Sequence, residues 1–144
     1  FVRNYLAKNL SGYTVKERRF NWADTSASEA DLGMLPQLRA DVVIDSESTR
    51  NVIEVKFYED SIKAGYKSDR KKIISAHLNQ LFVYLSNLSI CEVRKLSGVL
   101  LYAMSDERFD LKYTIHGFKI RVLTIDLSQT PDEIGIRLVD IARS

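Results

Sequence analysis

Hydrophobic and polar positions change period several times along the chain, and each change marks an element. The opening run "FVRNYLAKNL" sets Val2, Tyr5 and Leu6 at helical spacing, and "SGY" at 11–13 ends that helix. "TVKERRFNW" then alternates as a strand does, and residues 23–37 read as a loop. Two β-branched runs follow, 39–45 and 51–58, joined by the polar "SESTR", and a hairpin is the simplest connection. Beyond a polar, basic segment, Ser75 is placed to cap a helix whose Leu78, Leu81, Phe82, Leu85 and Leu88 keep the 3.6 period.

"GVLLYAM" at 98–104 is a continuous apolar run, the pattern of a central strand buried on both faces. "YTIHGFKIRVLTIDL" predicts a hairpin turning at His116 and Gly117. In "TPDEIGIRLVDIA", Thr130 is the expected N-cap, Pro131 the first helical residue and Glu133 the partner in a capping box, with Ile134, Leu138 and Ile141 on one face. The expected order is α-β-β-β-α-β-β-β-α: an α/β (α+β) class fold, with a mixed central sheet flanked by helices and residues 1–144 as a single domain.

Composition agrees with a chain that builds a real core, since 45% of its 144 residues are hydrophobic and 28% charged. The net charge of +2 permits a polyanionic partner without demanding one. One cysteine, Cys91, excludes an intrachain disulfide framework and a Cys-rich zinc site; it reads as small core packing, and a reducing cytoplasm is the expected compartment. No apolar run approaches the roughly 20 residues that span a bilayer, so no membrane association is expected. The chain begins at Phe1 with no initiator Met and no evident N-cap, and we read it as a piece of a longer protein.

Chemistry enters with the hairpin, where Asp41, Glu54 and Lys56 stand among apolar neighbours. A charge in a half-buried strand needs solvent, a partner or a metal. Glu54 and Lys56 share one face of their strand, and Asp41 joins them if it lies opposite either Glu54, with Ser46 to Thr49 as the turn, or Lys56, with Glu47 to Arg50 as the turn. The pattern leaves both registers open. Convergence would set the two Cβ atoms about 5 Å apart, so that the carboxylates can share a hard cation such as Mg²⁺ through oxygen ligands at roughly 2.1 Å, with a lysine beside the attacking water. The bland alternative is a solvated strand face with Glu54 and Lys56 as simple partners.

In "SAHLNQLFVYLSNL", Gln80 and Tyr84 lie at i and i+4 beside the apolar stripe, with His77 three residues before Gln80. Taken singly they read as a boundary residue, a core aromatic with its hydroxyl at the edge and a surface histidine. Arg18 and Arg19 read as surface residues.

Asp41, then Glu54-Val55-Lys56, then Gln80-x-x-x-Tyr84, on strand, strand and following helix, resemble the PD-(D/E)xK nuclease superfamily, whose restriction-endonuclease-like fold is then expected. More narrowly, "LPQLRADVVI", "NVIEVKFY", "SAHLNQLFVYL", "GVLLYAM" and "LTIDLSQTPDEI" are similar to McrC-type nuclease domains, endonuclease subunits of modified-cytosine restriction systems. The likeness spans about residues 35 to 141, and Ala40 stands where the superfamily name has Pro.

By that resemblance Asp41, Glu54 and the Val55 backbone carbonyl hold Mg²⁺, for which Mn²⁺ can substitute. Lys56 is the catalytic lysine, and Gln80 and Tyr84 line the site. The implied substrate is double-stranded DNA. The implied partner is a McrB-like GTP-hydrolysing AAA+ motor, contacted through a region ahead of Phe1, where a further acidic ligand would also lie. The chain itself has no G-x-x-x-x-G-K-[ST] loop. Lys63, Lys67, Arg70, Lys71 and Lys72 lead into the Gln80 helix and are candidates for the DNA backbone, set against a plain solvated loop. Alternatives are a superfamily nuclease of a recombination or junction-resolving pathway, a silent DNA- or subunit-docking module of the same fold, and an unrelated α/β structural domain.

Overall fold

The computed structural model describes residues 1–57, 62–64, 71–104 and 107–144. A six-stranded mixed sheet has the order β1-β2-β3-β6-β8-β7, built from β1 (Thr14–Phe20), β2 (Leu38–Asp45), β3 (Thr49–Lys56), β6 (Lys95–Ala103), β7 (Asp110–Ile115) and β8 (Phe118–Ile125). A separate two-stranded sheet pairs β4 (Ile62–Ala64) with β5 (Lys71–Ile73). β1, β2 and β3 pair antiparallel, β3, β6 and β8 parallel, and β7 closes the far edge antiparallel to β8. Parallel neighbours need a crossover, which α3 (Ser75–Ser89) supplies between β3 and β6.

The sheet is apolar on both faces. Val42, Ile44, Ile53, Val99, Leu101 and Leu123 pack beneath α1 (Val2–Asn9) and α4 (Pro131–Arg143) through Leu6, Leu138 and Ile141. Val43, Val52, Leu100, Tyr102 and Val122 pack beneath α3 through Leu81, Tyr84 and Leu85. β6 is central and buried on both sides, as its unbroken apolar run implied. Gly98 lets α3 approach it: a Cβ there would lie 2.9 Å from Leu85 Cδ1 and 3.0 Å from Leu81 Cδ1.

The capping box at Thr130 and Glu133 forms with both reciprocal bonds and Pro131 in the first turn. The last hairpin turns at His116 and Gly117, whose φ values of 50° and 82° suit a two-residue turn that needs left-handed backbone at both positions.

Five expectations are corrected. The loop 23–37 contains a one-turn helix, α2 (Glu29–Leu32), capped by Ser28, whose side chain accepts from Asp31 N–H. Ser75 is the first residue of α3 and not its cap: Ile74 holds that place and makes no side-chain bond. The segment after β3 contains β4 and β5. Cys91 is exposed and not in the core, because it follows the end of α3, past the last buried Leu88. Arg18 is half-buried because it donates to buried Asp45 at 2.7 Å, where Arg50 also forks onto both carboxylate oxygens; Arg19 is exposed.

Candidate active site

The hairpin register decides between the two arrangements. β2 and β3 pair from Asp45↔Arg50 to Val42↔Ile53, and one more step along that ladder sets Asp41 opposite Glu54, with Ser46 to Thr49 as the turn. At that step side chains take over from the ladder. Asp41 N–H donates to Glu54 Oε1 at 3.3 Å, and Val55 N–H donates to Asp41 Oδ2 at 3.2 Å.

A β-bulge on the other edge of β2 lies beside this exchange. Lys16 pairs with Val43 but Arg18 pairs with Ala40, so Asp41 and Val42 together face Glu17. Ala40 and Val43 both enter the core under α3 while Val42 enters the opposite one. Asp41 turns towards β3 at the rim, where it stays exposed, while Glu54 beside it is only 1% exposed.

Two carboxylates so placed repel each other. Burial pushes the Glu54 carboxyl from 4.5 up to about 8, the Asp41 charge adds to this, and Lys56 partly offsets it. Lys56 Nζ lies 3.8 Å from Glu54 Oε2 and donates to Gln80 Oε1 at 2.8 Å. Gln80 Nε2 donates to the Tyr84 hydroxyl at 2.9 Å, and that hydroxyl donates to the Arg39 carbonyl at 2.6 Å. The direction of this relay follows from its far end: a carbonyl only accepts, so Tyr84 donates to it and accepts from the Gln80 amide, which leaves the Gln80 oxygen for the lysine. One turn of α3 thus ties Lys56 back to the strand that carries Asp41.

His77 is the residue that single-position reasoning undervalued. It is half-buried, with Nδ1 3.0 Å from the Tyr102 hydroxyl, and Tyr102 is the lateral neighbour of Lys56 on β6. Burial and the Lys56 charge both lower its pKa. The available signal was its position one turn before Gln80.

The structure therefore brings together Asp41, Glu54, Lys56, Gln80 and Tyr84, with Val55 between the acid and the lysine. Of the basic candidates, Lys67 and Arg70 lie outside the described residues. Lys63, Lys71 and Lys72 belong to the β4–β5 hairpin, Lys63 opposite Lys72, as backbone positions only.

The donor chemistry fits a hard divalent cation. Among the described residues no group of three or more His, Cys, Asp or Glu side chains gathers at one point. Two carboxylates with a neighbouring backbone carbonyl suit an ion that keeps waters and takes a phosphate oxygen. Burial and the Asp41 charge disfavour the ionised Glu54 carboxylate, and an adjacent dication would act in the opposite direction on both carboxylates.

No protein-family model matches the chain. It is similar to the type IV methyl-directed restriction enzyme EcoKMcrBC of Escherichia coli (strain K12), with 26% identity over 141 residues, covering 98% of this chain. The chain spans 40% of that protein's length. The likeness is distant, and it supports a restriction family related to McrBC. Among the described residues no helix is long and apolar enough to cross a membrane.

Proposed function

We propose that this chain is the metal-dependent endonuclease domain of a McrBC-type restriction system, a PD-(D/E)xK nuclease of the McrC type that hydrolyses DNA phosphodiesters in the cytoplasm. The observation that carries this reading is the pairing of Asp41 with Glu54 beside Lys56, with Lys56 bonded to Gln80. The similarity to a methyl-directed restriction enzyme supports it.

In this reading Asp41, Glu54 and the Val55 carbonyl hold Mg²⁺, or Mn²⁺ in its place. When bound, the ion supplies charge stabilisation at the phosphate and a water of lowered pKa. Lys56, held by Gln80 at 2.8 Å, positions the attacking water and offsets charge that develops on the phosphoryl oxygens. Gln80 and Tyr84 fix the lysine through the Arg39 carbonyl, so that its ammonium needs little reorganisation during the reaction. Attack in line with the leaving oxygen would give a 5′ phosphate and a 3′ hydroxyl.

Double-stranded DNA is the substrate, and a GTP-hydrolysing AAA+ motor of the McrB type is the partner. The sequence carries no P-loop of its own, in keeping with nucleotide hydrolysis on another subunit. The basic residues Lys63, Lys67, Arg70, Lys71 and Lys72 would follow the DNA backbone.

Cleavage of methylated plasmid DNA by the protein with its motor partner and Mg²⁺ tests the reading. Asp41→Ala, Glu54→Ala and Lys56→Ala should each abolish cleavage without unfolding the chain. Near-normal cleavage by the Lys56 variant would remove the lysine from its assigned role.

A further inference from the structure

On the sheet face opposite Glu54 and Lys56, at the entry ends of β6 and β8, lies a cleft of about 390 Å³. Asn51 and Ser97 are on its floor, and Lys112, Thr114, Lys119 and Arg121 form its wall. It is a separate site: Asn51 shares its face with Ile53, which packs under α1 and α4, whereas Glu54 shares a face with Val52 under α3.

Two observations mark the cleft as built for a ligand. Asn51 is 6% exposed, and its carboxamide oxygen is buried with no hydrogen-bond donor. A buried acceptor without a donor is destabilising, so a leucine here would serve the fold better. The wall is also positively charged in excess. Register pairs Lys112 with Arg121 and Thr114 with Lys119, which makes Lys112 and Lys119 diagonal neighbours about 7 to 8 Å apart. Arg121 is neutralised by Asp110 and also donates to Ser144 Oγ at 2.6 Å. Lys112 and Lys119 have no ion-pair partner among the described residues. Lys112 and Lys119 are exposed, and an anion lying between these diagonal neighbours would meet both charges at once.

We propose that this cleft binds a phosphate monoester of nucleotide size, its phosphate between Lys112 and Lys119 and its nucleoside part against Asn51. The volume is within the range of small-ligand pockets. The same chemistry is carried by a free nucleoside monophosphate and by a 5′-phosphorylated DNA end. This inference does not depend on the nuclease reading, because it uses none of the residues assigned to cleavage.

Calorimetric titration of the full protein with deoxyadenosine 5′-monophosphate, inorganic phosphate and deoxyadenosine tests it. The monophosphate should bind saturably, and more tightly than phosphate or nucleoside alone. Replacing both Lys112 and Lys119 by Ser should weaken it by at least about tenfold. Asn51→Leu should weaken the monophosphate and leave inorganic phosphate unchanged, while raising the melting temperature of the ligand-free protein.

Competition by a 5′-phosphorylated oligonucleotide, but not by its dephosphorylated form, would make a DNA end the source; no competition would make it the free nucleotide. No saturable binding of the monophosphate at millimolar concentration, or binding that both the lysine and the asparagine variants retain, would overturn the proposal.

Discussion

Lys56 and Gln80 meet at 2.8 Å across the gap between β3 and α3, and Gln80 is held in turn by Tyr84. The lysine is thereby kept 3.8 Å from Glu54 without collapsing onto it as a close ion pair. Gln80→Ala should therefore leave folding and metal binding intact and lower the cleavage rate by about 10- to 100-fold, the usual range for a group that orients a reactive one. Tyr84→Phe should do less to the rate but cost on the order of 1 kcal/mol in stability, since the Arg39 carbonyl loses a donor. Single-turnover cleavage and denaturant unfolding of both variants check this; an unchanged rate for Gln80→Ala would contradict it.

Glu54 should make the metal-free protein less stable as pH rises. Its folded pKa of about 8 lies above its ordinary 4.5, so between those values the folded state binds a proton that the unfolded state has released. Stability is fully present below about pH 4.5 and declines towards pH 8, at about 1.4 kcal/mol per unit of pKa difference. Glu54→Gln removes the charge and should raise the melting temperature at pH 8 by several degrees, with little change at pH 5, while abolishing cleavage. Equal stabilisation at both pH values would show that Glu54 does not titrate as its surroundings require.

The hairpin that carries the site depends on a buried ion pair at its far end. Arg50 donates to Asp45 at 2.6 and 2.9 Å and contacts Glu92 at 2.9 Å. Arg50→Ala leaves Asp45 with Arg18 as its remaining close partner and takes away the contact to Glu92, so it should cost about 1.5 to 3 kcal/mol. Burial works to raise the Asp45 pKa, but the bond and charge of Arg50 outweigh it and hold the carboxyl below its ordinary value. Urea unfolding should show a reduced midpoint for Arg50→Ala at pH 7 with an unchanged slope, and a loss below about 1 kcal/mol would contradict the buried-pair reading.

Much of this was legible in the sequence where one local rule dominated. The Thr130 capping box, the His116–Gly117 turn and the buried run of β6 each depend on neighbours within a few residues, and all three formed as their patterns predict. The register of Asp41 against Glu54 was narrowed to two solutions by alternation alone. The choice between them lies in the ladder that runs from Asp45↔Arg50 to Val42↔Ile53 and closes on the Ser46–Thr49 turn, and alternation does not distinguish that turn from one shifted by a residue. Cys91 and Arg18 were misread for another reason. Exposure past the end of α3 and the reach of Arg18 to Asp45 are set by tertiary packing, not by the residue's own type. His77 read as a surface residue until Tyr102 was placed beside it. The Gln80–Tyr84 spacing was visible, but the direction of its hydrogen bonds needed the Arg39 carbonyl.

The most direct measurement is a titration of the protein with Mg²⁺ or Mn²⁺, followed by calorimetry or NMR, comparing the native chain with the Asp41→Ala, Glu54→Ala double variant. Saturable binding by the native chain, with resonance shifts at Asp41, Glu54 and Val55 and none in the double variant, is the expected result. Binding retained by the double variant, or absent from both proteins at millimolar metal, would contradict a metal site between these two carboxylates.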